Sequence, residues 1–314
     1  MTVSVCMSLY NGETYIEEQL KSILNQTRQP DEVILCDDCS TDQTAEIVQR
    51  FVMQHRPKGK WIYQKNPINL GYPSCFYHAM SLCTGDIVFL ADQDDIWDVC
   101  KIQRMLGVFG ANPDAQVVCC KFGLIDANNN PIHSMMQPVK SKETGKIRQI
   151  AVEEIFYKYE WPGMVMAYRN RWYQENWDCN KDYGSIPHDL FICAIAAEVN
   201  GFLQMDLTLA YHRRHNNNAG HEEHRLSRLL NRDRKLKEIS DYMKYLEDFN
   251  SAKVMQTEKG QKALQNKYIS MKGRYDALQS GNVIEVIQNA WQNQKSTRIA
   301  TALCDILITL KRGK

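Results

Sequence analysis

Asp86-Ile-Val-Phe-Leu-Ala91 runs directly into Asp92-Gln-Asp94-Asp95-Ile-Trp97. The first half is a short run of β-branched and other apolar residues, the composition of a strand buried on both faces. The second half puts three carboxylates into one turn. Such crowding costs like-charge repulsion. A hard divalent cation, Mg2+ or Mn2+, offsets that cost and keeps coordination positions open for phosphate oxygens. Taken alone, the same turn reads equally as a solvated acidic loop.

Working back toward the N-terminus, the unit of strand, polar turn and helix repeats. Val3–Leu9 reads as a buried strand, broken by Tyr10-Asn11-Gly12. From Thr14 onward Tyr15, Ile16, Leu20, Ile23 and Leu24 share one helical face, with Glu13, Glu17 and Glu18 near its start. Glu32–Cys36 is the next strand. The turn Asp37–Asp42 and a helix to His55 follow it. Trp61–Tyr63 is a third strand, Asn66–Gly71 a turn, and Pro73–Cys83 a helix. Strands alternating with helices at this spacing predict an α/β fold with a parallel sheet covered on both faces. In such sheets the ligand site lies at the carboxyl ends of the strands. Both acidic turns, Asp37-Asp38 and Asp92–Asp95, fall at that edge.

Beyond Lys101 the pattern predicts a strand at Val117–Cys120, a turn at Asp126–Pro131 and a polar loop at Pro138–Arg148. A turn enters a strand over Trp161–Tyr168, a helix opens at Pro187-His188-Asp189, and a last strand covers Leu207–His212. After His221 there is no proline and helix formers dominate. Leu236, Ile239, Met243 and Leu246 extend a face begun by Leu226, Leu229 and Leu230. Leu303, Ile306, Leu307 and Leu310 form another, and Gly260, Gly273 and Gly281 mark expected breaks. The chain is therefore divided into 1–221 and an all-α appendage 222–314.

Composition narrows the function classes. Lys and Arg total 38 against 37 Asp and Glu over 314 residues, a net charge of +1. No chain-wide basic field for nucleic acid exists. With 44% hydrophobic and 24% charged residues the chain is a globular protein rather than a disordered one. No stretch approaches the ~20 apolar residues of a membrane span. Eleven cysteines and an N-terminus without the features of an export signal predict free thiols in a reducing cytoplasm. Cys36 and Cys39 lack a second pair, so a structural zinc is not expected.

Several ordered pieces carry a resemblance. Ser4–Gly12 looks like the opening strand and Tyr-Asn turn of the family 2 glycosyltransferases of the GT-A fold. Gln19–Thr27 looks like their first helix. Asp37-Asp-Cys-Ser-Thr-Asp42 is similar to their Asp-Asp-Gly-Ser-Thr-Asp loop, with Cys39 in place of glycine. Asn69-Leu-Gly71 resembles their Asn-x-Gly loop, and Asp92-Gln-Asp94 their metal-binding DxD. The resemblance runs from Val3 to about Gly220. The DQDD-x-W form and His188-Asp189 look most like rhamnosyltransferase-type enzymes of bacterial surface-polysaccharide assembly.

The resemblance implies a GT-A domain over 1–221, a Rossmann-like, mostly parallel sheet flanked by helices, with a nucleotide-binding half 1–100 and an acceptor half 101–221. It implies a nucleotide pocket lined by Ser8, Tyr10, Asn11, Asp37, Asp38, Asn69, Gly71 and Asp92. It implies a divalent metal at Asp94, with Asp92 and His215 alongside, and diphosphate contacts from Arg213 or Arg214. Asp189 is the implied base for inverting transfer. The partners implied are a UDP or dTDP sugar, with dTDP-rhamnose favoured, and a glycan or lipid-linked oligosaccharide acceptor. The basic segment Arg225–Lys237 and the Leu303–Leu310 stripe suggest peripheral contact with the inner membrane face, or a homodimer contact. Two alternatives stay open: a sugar nucleotidyltransferase, and a non-catalytic nucleotide- or glycan-binding scaffold.

Overall fold

The computed structural model of the chain describes residues 1–132, 143–158, 161–177, 183, 186–215, 231–293 and 299–310. They divide into two compact units, one of Met1–Ile150, Trp161–Cys179 and Pro187–His215, the other of Ala151–Glu160, Asn180–Ile186 and Asn216–Lys314. The single boundary expected between 221 and 222 is thus replaced by an interleaved one. Two short segments of the expected acceptor half belong with the helices. The linker itself, with Leu226, Leu229 and Leu230, lies outside the described residues.

The first unit is built on β1 (Val3–Leu9), α1 (Ile16–Leu24), β2 (Glu32–Asp37), α2 (Thr44–His55), β3 (Lys60–Lys65), α3 (Ser74–Ser81) and β4 (Ile87–Ala91). These are followed by β5 (Ile96–Trp97), α4 (Lys101–Ala111), β6 (Val117–Ile125) and β7 (Ile147–Gln149). In the second unit α5 spans Val152–Lys158. The first unit resumes with a 3-10 turn at Gly163–Val165, β8 (Met166–Arg169), α6 (Asn170–Asn176), α7 (His188–Glu198) and β9 (Phe202–Arg213). Among the described residues nine strands form one sheet in the order β3-β2-β1-β4-β8-β6-β9-β5, with β7 on β9.

The apolar runs explain the order. Val3, Val5, Met7, Val33, Leu35, Phe89 and Leu90 are all fully buried, because both faces of the central strands are covered. On α1 the inward residues are Ile16, Gln19, Leu20 and Ile23, and on α2 they are Thr44, Ile47, Val48 and Phe51. Each fully buried Leu or Ile contributes about 1.5–3 kcal/mol of transfer free energy. β1 pairs in parallel with β2 and β4, and β2 with β3. The parallel reading fails at β8, which runs antiparallel to both β4 and β6. The sheet is therefore mixed although mostly parallel in its first half.

The register aligns the functional edge. Leu9 lies opposite Asp37 and Met7 opposite Ala91, so the turns after β1, β2 and β4 emerge side by side. In the β2 turn Cys39 has φ +68°, the left-handed region that favours glycine. Its Sγ lies 3.3 Å from the carbonyl oxygen of Asn66, to which it donates.

The second unit comprises α5 together with α8 (Arg232–Ser251), α9 (Glu258–Ser280), α10 (Val283–Gln292) and α11 (Ile299–Leu310). Side chains of Asn231, Thr257 and Asn282 cap three of these helices by accepting N–H bonds from Arg234, Gly260 and Ile284. Gly281, at φ +72°, ends α9 as expected, but Gly260 and Gly273 lie inside that helix and break nothing. Ile239 and Leu246 face inward as the pattern predicted. The C-terminal stripe does not. Leu303, Leu307 and Leu310 are each more than half exposed, while Asp305, Ile308 and Thr309 are buried. Much of the basic segment is engaged locally. Arg232 donates to the carbonyl of Leu278, and Arg234 and Lys235 pair with Glu238. Among the described residues no helix is long and apolar enough to cross a membrane.

Asp305, 3% exposed, is held by Arg274, whose Nη2 donates to Oδ1 at 2.9 Å and whose Nε donates to Oδ2. Arg274→Met strands that carboxylate and is expected to cost about 3 kcal/mol in urea unfolding. Adding Asp305→Leu should recover most of the loss, because the unpaired charge is then gone. At Cys39 a β-branched residue is the wrong shape for the left-handed backbone. Cys39→Val is expected to destabilise by about 1–2 kcal/mol, and Cys39→Gly to stay within about 1 kcal/mol of the native protein.

Candidate active site

The β1 turn is stitched to its neighbours by backbone donors. The N–H of Asn11 donates to Ser40 Oγ at 3.0 Å, and that of Gly12 to Thr44 Oγ1 at 2.8 Å. Asn11, at φ +48°, returns the connection, its Oδ1 accepting from the N–H of Thr41 at 2.9 Å. Gln93, the middle residue of Asp92-Gln-Asp94, makes the reciprocal link to β4. Its Oε1 accepts from the Tyr10 N–H and its Nε2 donates to the Tyr10 carbonyl, both at 2.9 Å. A Cβ on Gly12 would stand 2.4 Å from Gln93 Oε1, so a larger residue there would displace this glutamine. Nothing in the spacing singled out Gln93; a turn residue between two aspartates reads as a spacer.

The expected nucleotide residues meet at this edge, but two of them are occupied. Asp37 is fully buried; it accepts from the N–H of Ser40 at 2.7 Å and from the Tyr63 hydroxyl. Asp38 is 3% exposed. Its Oδ1 accepts from Asn66 Nδ2 and the Leu70 N–H at 2.9 and 2.7 Å, and its Oδ2 from the Gly71 N–H at 2.8 Å. Asn69 donates to the Asp38 carbonyl at 2.8 Å. Asp38 therefore shapes the Asn66–Gly71 loop, with three donors on a buried carboxylate, and only its remaining acceptor capacity is left for a base. Tyr10 is 51% exposed at the same edge, and Ser8 is half-buried at the end of β1.

The three carboxylates after β4 separate by role. Asp95 turns inward and is fully buried. Its Oδ1 accepts from the Arg213 N–H at 2.9 Å and lies 3.1 Å from His212 Nδ1, which fastens the acidic turn to the end of β9. His212, which carried no expected role, thus has a structural one. Asp94 remains at the surface, its Oδ2 2.9 Å from His215 Nε2. The His215 ring stands 4.6 Å from that of Tyr15. Burial pushes the Asp92 carboxyl well above the usual range, and the charges of Asp95, Asp94 and Asp189 push it further; Lys101 opposes them. Asp189 is thus among the charges that act on Asp92.

Asp189, in the first turn of α7, is 6% exposed. Its Oδ2 accepts from the Gly163 N–H at 3.2 Å and its Oδ1 from the Leu190 N–H at 2.8 Å. His188 stacks on Phe76 with ring centroids 4.1 Å apart. Trp97 and Trp161, which could have offered aromatic faces to a sugar, are each 2% exposed and pack in the core.

Arg213 departs from expectation. It is fully buried, and its guanidinium faces α1 and the β6 turn rather than an open site. Nε donates to the Asp94 carbonyl at 2.8 Å, Nη2 to Glu18 Oε2 at 2.7 Å, and Nη1 to Asn129 Oδ1 and the Ala127 carbonyl. The same cation lies 4.5 Å over the Tyr15 ring. With its donors so committed, Arg213 holds the framework and is corrected from a diphosphate ligand to a structural residue. Arg214 follows it, partly exposed, with its N–H on the Ile125 carbonyl at 2.8 Å.

Asp94 and His215 fit a divalent cation in donor chemistry, a carboxylate oxygen and an imidazole nitrogen already converging. Among the described residues no three His, Cys, Asp or Glu side chains are grouped to hold a metal by themselves. A cation here would take its remaining ligands from the diphosphate of a bound nucleotide.

Lys101, the first residue of α4, was also missed. It is fully buried, its Nζ donates to the Met164 carbonyl at 2.6 Å, and the same atom lies 3.5 Å from the Trp97 ring centroid. Burial pulls its ammonium down to about 8, while Cys120, Asp95 and Asp92 act to raise it.

Comparisons with known proteins identify the fold and the family. A dTDP-rhamnosyl transferase, RfbG, of Shigella flexneri is 35% identical over 103 residues, 32% of this chain and 35% of that protein. The chain spans between about a fifth and two fifths of the length of the curated relatives it matches. Staphylococcus aureus TarS 1–349 in complex with UDP-GlcNAc superposes with TM-score 0.58 at 17% identity, over 100% of this chain and 93% of that one. The mannosyltransferase PcManGT of Pyrobaculum calidifontis, in complex with GDP-Man and Mn2+, superposes with TM-score 0.53 at 15% identity, over 98% and 86% of the two chains. These likenesses establish the GT-A type of fold, a mostly parallel sheet flanked by helices with helices following. The sequence profile of Glycosyl transferase family 2 matches residues 4–175, more than half of the chain, which belongs to that family.

Proposed function

We propose that the chain transfers a sugar, with inversion, from a nucleoside-diphosphate donor to a hydroxyl of a glycan or lipid-linked oligosaccharide. A UDP or dTDP sugar fits best, and dTDP-rhamnose is the first candidate because a relative at 35% identity is a dTDP-rhamnosyl transferase. The observation that carries this reading is the Asp94–His215 pair at 2.9 Å, beside Asp92 and within electrostatic range of Asp189.

In this reading the exposed Tyr10 ring and the Asn66–Gly71 loop receive the nucleoside. Asp94 and His215 would hold Mg2+ or Mn2+, which neutralises charge developing on the leaving diphosphate. Asp189 takes the proton of the acceptor hydroxyl as that oxygen bonds to the anomeric carbon, and the carbon–diphosphate bond breaks on the opposite side. The Gly163 and Leu190 N–H groups fix its carboxylate for that task. Arg214 is the remaining basic candidate for the phosphates. The exposed face of Leu303, Leu307 and Leu310 leaves a peripheral membrane contact or a dimer contact as proposals for the helical unit.

Calorimetric titration with UDP and dTDP tests the donor site. Binding is expected with Mn2+, weakened at least tenfold by Asp94→Ala and by chelation with EDTA. Mn2+ alone should bind weakly, because among the described residues fewer than three ligands are grouped. Failure of both nucleotides to bind under any metal condition overturns the proposal. Asp189→Asn is expected to keep nucleotide affinity while turnover falls about 100- to 10,000-fold; unchanged turnover would assign the base elsewhere.

A further inference from the structure

A lysine at the first position of a helix stands at the unfavourable end of the helix dipole, and full burial adds a desolvation cost. Lys101 bears both. Its surroundings account for its retention. Nζ donates to the Met164 carbonyl at 2.6 Å, the Trp97 ring lies beneath it at 3.5 Å, and Asp92 and Asp95 are close enough to stabilise the ammonium.

Met164 belongs to the Gly163–Val165 turn, two further polar groups of which are engaged. Cys120 Sγ donates to the Val165 carbonyl at 3.4 Å, and the Gly163 N–H donates to Asp189 Oδ2 at 3.2 Å. A Cβ at Gly163 would stand 2.8 Å from His188 Nε2, so the turn sits directly against the start of α7. One route therefore runs from Lys101 through Met164 to Gly163 and Asp189.

We propose that Lys101 is a positioning residue for the candidate base: its buried ammonium pins the Gly163–Val165 turn, whose Gly163 N–H orients Asp189. The inference rests on the transferase reading for its catalytic consequence, but its structural half stands apart from that reading. Lys101 touches neither substrate nor the reacting atoms. Its contribution is the placement of a carboxylate that must be held to a fraction of an ångström. A neutral side chain of equal length would fill the space but would release the Met164 carbonyl.

The test uses the full chain with Lys101→Met, Asp189→Asn and the double variant. Lys101→Met is expected to bind UDP or dTDP with Mn2+ within about threefold of the native protein, while kcat falls about 100-fold and donor KM changes little. In the Asp189→Asn background the same substitution should cost less than about threefold, since the group it positions is already gone. Hydrogen exchange across residues 161–166 should accelerate in Lys101→Met. A full loss of turnover repeated in the Asp189→Asn background, or unchanged exchange across 161–166, overturns the proposal. If the native protein turns over no sugar nucleotide, the transferase reading fails, and the exchange measurement alone decides whether Lys101 pins the turn. Should Lys101→Met not fold, Lys101→Gln, which keeps a donor for the Met164 carbonyl, is read instead: exchange across 161–166 and kcat should stay within about threefold of the native protein, and a turnover loss with unchanged exchange overturns the proposal. Failure of both to fold assigns Lys101 to global stability and overturns the positioning role.

Discussion

Negative charge crowded at the end of β4 is the constraint on which the rest of the site depends. Two carboxylates about 5 Å apart, at an effective dielectric constant near 20, repel by about 3 kcal/mol. The chain places Asp92, Asp94 and Asp95 in one turn, and Asp189 is among the charges that act on Asp92. Each is handled differently. Asp95 is turned inward onto the Arg213 N–H and His212. Asp94 meets His215. Asp92 is left with its ionised form disfavoured, and a buried ammonium lies nearby. A fold does not need such an arrangement for stability. Its cost makes sense where charge must be received from a ligand.

Arg213 is the instructive departure. Arg213-Arg214-His215 reads as a phosphate site because basic residues at a strand end commonly are one. Which arginine faces the ligand is decided by partners distant in sequence. Glu18 is 195 residues away, and Tyr15 and Asn129 complete the enclosure. The two expected ligands on either side of β9's end are thereby divided. Arg213 braces α1, the acidic turn and the β6 turn, and His215 reaches Asp94.

Much of the first unit was legible because its strands are short apolar runs broken by polar turns, and β1, β2, β4, α1 and α2 appear within a few residues of their expected bounds. The motif order located the carboxyl edge in the same way. What escaped lacks a local signature. β7 is three exposed residues paired to β9, recognisable only through its partner. β8 reads as any apolar strand, and its reversed direction is set by the connections on either side of it. Gln93 and Lys101 look like a spacer and a surface lysine until the strands they bridge are adjacent. On α11 the leucine spacing identified a face but not its direction, since Asp305 takes the inside only through Arg274.

Two cations of different kinds can therefore be distinguished in the proposed site. Lys101 is covalently fixed, fully buried and hydrogen-bonded to the turn that carries the Gly163 N–H. A fixed charge suits a task that does not change during a reaction, the orientation of Asp189. The Asp94–His215 pair is partly exposed, with Asp94 Oδ2 2.9 Å from His215 Nε2. A cation entering there must break that contact, which is worth about 1–3 kcal/mol. The loss is offset when phosphate oxygens arrive as further ligands. An exchangeable charge of this sort suits the leaving group, because its ligands come and go with the nucleotide. In the proposed site the acidic turn would thus be tolerated in both states, with the lysine near the inner carboxylates and a bound cation neutralising Asp94.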